Sequence, residues 1–94
     1  MLIKVTQEDI DRGTHGGVES CPVALAIKRQ QRKRTRVASY GFRILVDKTT
    51  GTWRVYNNPS IAQDWIKDFD NHQNVKPFQF EAELDRIMID LLVK

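Results

Sequence analysis

Residues 37–56 read Val-Ala-Ser-Tyr-Gly-Phe-Arg-Ile-Leu-Val-Asp-Lys-Thr-Thr-Gly-Thr-Trp-Arg-Val-Tyr, and this stretch decides the fold. Ala38, Tyr40, Phe42, Ile44 and Val46 fall on one face by strict alternation, the period of a half-buried strand over 37–46. Asp47 to Gly51 supply turn chemistry. Thr52 to Tyr56 return as the partner strand, with Trp53 and Val55 assigned to the core side. A β-hairpin is therefore the expected centre of the molecule. Asn57-Asn58-Pro59 follows, with Asn58 as expected N-cap and Pro59 at the first helical position. Ile61, Ala62, Trp65, Ile66 and Phe69 then form one broad apolar stripe of a helix that should lie across the hairpin. Phe42, Ile44, Trp53, Trp65, Ile66 and Phe69 are expected to be buried together.

Before the hairpin, Pro22 opens a second helix, expected over 22–34, with Cys21 or Ser20 as its N-cap. Its first turns are apolar. Its end is a block of cations: Lys28, Arg29, Arg32, Lys33, Arg34 and Arg36 lie within nine residues, without one acid among them. Further upstream, Leu2, Ile3 and Val5 suggest a short strand. Thr6 caps a short helix that stops at Gly13, and a glycine-rich loop fills 13–19. The C-terminal stretch carries two patterns. Phe78, Phe80, Ala82 and Leu84 alternate like a strand, whereas Phe80, Leu84, Ile87, Met88 and Leu91 step like a helix. A strand at 75–80 and a helix from about 82 to 93 reconcile them, since Pro77 confines a strand to an edge or a start and Glu81, Glu83 and Asp85 suit a helix N-terminus.

The expected class is α+β: a single small domain over 1–94, its antiparallel sheet built on the central hairpin and covered by two or three helices. One cysteine excludes an internal disulfide and fits a reducing compartment. No apolar run reaches the length of a membrane span, so the expected setting is cytoplasmic, without a membrane partner.

The formal charge of +3 conceals an asymmetry. Outside 28–36 the chain holds nine basic against twelve acidic residues, and between Glu19 and Asp47 there is no acid. A neutralising partner for the basic run must come from elsewhere in the fold or from another molecule. Lys28, Arg29, Arg32, Lys33, Arg34 and Arg36, with Arg43 on the hairpin, are the candidate partner-binding residues. An anionic partner fits: nucleic acid held by its phosphates, an acidic or nucleic-acid-binding surface of another protein, or a small nucleotide held between arginines and Tyr40, Trp53 or Tyr56.

Catalytic and metal chemistry find little support in the residues. Cys21 at a helix N-terminus has His15 and His72 as the only histidine bases, and a buried structural thiol is the simpler reading. One cysteine and two scattered histidines give no metal constellation, and no cofactor motif is present. The loop of Gly13, Gly16 and Gly17 has the general form of an anion cradle with Arg12 beside it, but it lacks the Lys-Ser/Thr of a P-loop and includes Glu19. The apolar tail, with Ile87, Met88, Leu91 and Leu92, is a surface for self-contact, which leaves the oligomeric state open.

Val5-Thr6-Gln7-Glu8-Asp9-Ile10, then Gly13, then Cys21-Pro22-Val23-Ala24-Leu25-Ala26-Ile27, and later Phe69-Asp70 with Val75-Lys76-Pro77-Phe78-Gln79-Phe80, resemble a group of small uncharacterised accessory proteins of tailed bacteriophages. The resemblance covers the first third of the chain and a piece near its end. It implies an infected bacterial cell as the setting, and a host protein or protein–nucleic acid complex, part of host machinery or host defence, as the partner. It supplies no site. The long basic run and the apolar tail depart from the pattern of the group.

Overall fold

The hairpin sits at the centre of a four-stranded antiparallel sheet. The computed structural model describes residues 1–90, ordered as β1 (Leu2–Val5), α1 (Gln7–Arg12), α2 (Pro22–Gln31), β2 (Thr35–Ala38), β3 (Gly41–Asp47), β4 (Thr52–Asn57), α3 (Ser60–Asp70), β5 (Phe78–Glu81) and β6 (Glu83–Ile89). One sheet runs β2-β3-β4-β6 and a second pairs β1 with β5. The architecture is α+β, as expected.

The β3–β4 turn follows its chemistry. Asp47 Oδ1 accepts from the amides of Thr49 at 2.9 Å and Thr50 at 3.4 Å, and Gly51 takes a φ of 69°, which a glycine adopts without a steric cost. The single strand expected over 37–46 is divided between β2 and β3. Ser39 and Tyr40 form a tight turn, so Val37 pairs with Phe42 and Ala38 with Gly41. Buried Asn58 holds this turn. Its side-chain amide donates to the carbonyls of Ala38 at 3.3 Å and Ser39 at 3.1 Å, and its backbone amide donates to Tyr40. Occupied in this way, Asn58 does not cap α3, which begins at Ser60 with Pro59 in the cap position. Gly41 is required where it stands, because a Cβ there would collide with the carbonyl oxygen of Tyr56.

Helix α2 is shorter than 22–34. Arg32 turns into the left-handed region with φ 55° and closes the helix through its amide to the Lys28 carbonyl at 2.7 Å. Thr35, fully buried, then starts β2 instead of ending a helix. The helix of 82–93 is also replaced by a strand: β6 pairs along the free edge of β4, satisfying backbone groups that a terminal helix would leave open. Between β5 and β6 only buried Ala82 intervenes, its amide donating to the Met1 carbonyl at 2.9 Å. The end of that expected helix, residues 91–93 including Leu91 and Leu92, lies outside the described residues.

One core joins both sheets and the two longer helices. Ile3, Val5, Val23, Ala26, Ile27, Val37, Phe42, Ile44, Tyr56, Ile66 and Phe80 are buried in it. Phe42, Ile44 and Ile66 meet there as expected. Trp65 sits at its margin, stacked on Phe78 at 4.6 Å with its Nε1 donating to the Lys76 carbonyl at 2.9 Å. Trp53 is fully buried but pairs with Leu45 and Met88 on the opposite, outer face of the sheet, where the Arg43 guanidinium lies 4.6 Å above its ring. Leu84, Ile87 and Ile89 on β6 are exposed. Among the described residues no helix is long and apolar enough to cross a membrane.

Candidate anion-docking surface

The basic run divides into two groups with different employment. Arg29, in the last turn of α2, donates to the carboxylate of Asp9 at 2.8 Å and to the Lys4 carbonyl at 3.0 Å. Asp9 also accepts from the amide of Thr6 at 2.9 Å, within a capping box that starts α1. Next to Arg29, Gln30 bonds both the amide of Lys4 and the carbonyl of Leu2, so the end of α2 clamps the edge of β1. Arg34 reaches Glu19 at 3.0 and 3.4 Å, and Lys28 donates to the Glu19 backbone carbonyl. The Arg34 hydrogen bond is the main reason the Glu19 carboxyl is held below its ordinary range. Partial burial opposes it, and the charges of Arg34, Lys28 and Arg36 add to it. The paired guanidinium of Arg34 is raised in turn.

Arg32, Lys33, Arg36 and Arg43 form no ion pair among the described residues. Arg32 and Lys33 are exposed on the turn leading into β2. Arg36 and Arg43 are directly opposite each other on β2 and β3, and the same register row continues through Val55 on β4 to Arg86 on β6. Three arginines thus stand in one line across the sheet. Neighbouring strands lie about 4.8 Å apart, so the steps along this line are roughly 5 and 10 Å. The row crosses a groove of about 400 Å³ whose lining includes Arg36, Arg43, Arg86, Tyr40, Val55 and Tyr56, and no acidic residue. Tyr40 at the β2–β3 turn is 73% exposed. Arg86, in contrast to Arg36 and Arg43, has an ion pair, with the adjacent exposed Asp85, the extra residue of a bulge in β6.

Of the seven cations singled out in the sequence, the structure brings Arg36 and Arg43 together, leaves Arg32 and Lys33 beside β2, and turns Lys28, Arg29 and Arg34 to internal partners. Arg86 was missed because a terminal helix would have taken it off the sheet. The alternation of Arg86 and Met88 with Ile87 and Ile89 was the signal that could have found it.

The other sequence candidates are accounted for locally. Cys21 is buried, and burial pushes its thiol up despite opposing backbone hydrogen bonds from Ala24 and Val23, the reverse of an activated nucleophile. His15 stacks on Phe69 at 4.5 Å and lies tilted against His72 at 3.9 Å. In the glycine loop the Gly16 amide is already used by the carboxylate of Asp70, at 2.8 Å. No group of three or more potential metal ligands occurs among the described residues. Comparison with protein-family models, curated proteins and solved structures finds no match.

Proposed function

We propose that this chain is a non-enzymatic phage accessory protein that binds and modulates a host macromolecule, acting in the cytoplasm of the infected cell, with inhibition of a nucleic-acid-guided host defence as its most specific form. The phage setting rests on the resemblance of residues 5–10, 13, 21–27, 69–70 and 75–80 given above. The binding role rests on one observation: arginines of three different strands share a register row in a groove lined by no acid. Like charges placed directly opposite each other on a sheet are destabilising, so Arg36 and Arg43 are better explained by an anion brought from outside than by folding. The docking surface is this row with Arg32 and Lys33. Lys28, Arg29 and Arg34 lie beside it, tying the end of α2 and the start of β2 to Glu19, Asp9 and β1.

A second reading, direct and sequence-nonspecific binding of nucleic acid, is favoured by exposed Tyr40 in the same groove. Affinity capture from a bacterial lysate, with and without nuclease, tests the proposal. The unaltered chain should retain a partner that the Arg32→Gln, Lys33→Gln, Arg36→Gln, Arg43→Gln variant loses. Equal capture by both reduces the basic surface to a solvated face. Loss of capture after nuclease favours the second reading.

A further inference from the structure

We infer that the groove on the outer face of the four-stranded sheet takes single-stranded nucleic acid, its backbone crossing the strands along Arg36, Arg43 and Arg86 and a base stacking on Tyr40. The inference rests on the reading of this surface as an anion-docking site and names the partner class. It starts from charge: Arg36 and Arg43 are cross-strand neighbours, Arg86 extends their row, and no acid lines the groove. A linear polyanion matches a line of cations better than a point anion does. Arginine is also the apt cation, since its planar fork grips phosphate bidentately and its face stacks on rings.

Tyr40 separates nucleic acid from an acidic protein surface. An acidic surface needs the arginines only, whereas a single strand also uses an exposed aromatic ring as a stacking platform that tolerates any base. Tyr40 is such a ring, 73% exposed at the groove's end of the β2–β3 turn. The same ring separates single from double strands. In a duplex the bases are already stacked on one another and offer no free face to Tyr40, so the exposed ring favours an unpaired strand. A groove of about 400 Å³ has room for roughly one nucleotide, so a longer strand runs across it and on past its ends.

Fluorescence anisotropy on the full chain tests the inference, with a labelled oligothymidylate of about ten nucleotides as probe. Three phosphate contacts along the row should contribute about −2 to the log–log salt slope on a single strand, the slope becoming shallower by about 0.7 for each of Arg36→Gln, Arg43→Gln and Arg86→Gln. Tyr40→Ala should weaken binding roughly 5- to 150-fold without changing that slope, a base stack of ~1–3 kcal/mol converted to affinity. A thymidine mononucleotide and a duplex of the same sequence should compete poorly. Tighter binding of the duplex, equal binding of the mononucleotide, or an unchanged affinity in the triple arginine variant overturns the inference. Polyglutamate is the control arm. If it binds through the same arginines while the oligonucleotide does not, this inference fails and the docking reading stands; if neither polyanion binds, both fail. Should the triple variant not fold, Arg86→Gln and Tyr40→Ala, both at exposed positions, carry the test alone.

Discussion

Arg29 and Arg36 belong to the same basic run, yet they hold opposite positions in the energetics of the molecule. Arg29 meets a carboxylate, Asp9, that is only 8% exposed, and a backbone carbonyl of β1. Arg36 meets Arg43. The boundary between the two roles is the left-handed cap at Arg32, where the chain leaves α2 and enters β2. Cations before the cap, together with Arg34 just after it, hold the N-terminal segment to the rest of the fold. Those on the strands are left for something else. A charge run in a sequence therefore does not define a surface: backbone direction selects which of its members face inward.

The largest effect expected on either side of this divide belongs to Trp53, the ring beneath Arg43. Trp53→Ala should cost about 3–5 kcal/mol, because a fully buried aromatic leaves a cavity the sheet cannot close. Chemical denaturation measures it. A loss below ~1 kcal/mol would mean that the outer face of the sheet is not packed around this ring, and that Arg43 is not held in the row. The Nε1 of Trp53 has no hydrogen-bond partner among the described residues, so Trp53→Phe should be far milder than Trp53→Ala.

Next in size is Arg29→Gln, which removes the charged partner of a nearly buried carboxylate and one anchor of β1. Arg29 is itself about half exposed, so the expected loss is about 1–2 kcal/mol. Arg36→Gln sets the contrast. Removing one of two opposed arginines should leave stability unchanged or raise it by a few tenths of a kcal/mol, while polyanion binding falls. If Arg29→Gln is harmless and Arg36→Gln unfolds the protein, the division into inward and outward cations is reversed.

The class of the fold was legible because the hairpin and both longer helices carry their own punctuation: Asp47 and Gly51 at the turn, Pro22 and Pro59 at the helix starts. The errors have local physical causes. Alternation through Ala38, Tyr40 and Phe42 runs across a two-residue turn that Asn58, distant in sequence, stabilises by its side chain. The helical spacing of Leu84 and Ile87 is produced by a β-bulge. With Asp85 extra, Leu84 opposes Tyr56 and Ile87 opposes Arg54, so residues three apart share a face of the sheet. Four of the five cations of the candidate surface were visible, in the basic run and as Arg43. Arg86 was hidden by that same bulge, and the inward turn of Arg29 by the absence of any sequence mark linking it to Asp9.

The smallest effect concerns Glu19, and it probes a cation at the boundary of the two groups. In the folded chain the Glu19 carboxyl is held below its ordinary value, first by the hydrogen bond from Arg34, with the charges of Arg34, Lys28 and Arg36 adding and partial burial opposing. A depressed carboxyl stabilises the fold at pH values above its unfolded pKa, about 4.3, and loses that contribution as pH falls through the lower folded pKa. The pair is exposed, so the gap in melting temperature between the unaltered chain and Glu19→Gln should be slight at neutral pH and should close in acid, below the ordinary carboxylate range. A gap that widens on acidification contradicts the assignment. The same substitution releases Arg34 from its only ion pair among the described residues and moves it to the outward group. Polyanion binding by Glu19→Gln should therefore tighten and its salt slope steepen, by up to ~0.7 if Arg34 takes one further phosphate of a single strand. An unchanged slope would show that Arg34 points away from the groove even when free, and would confine the docking surface to Arg32, Lys33 and the row on the sheet.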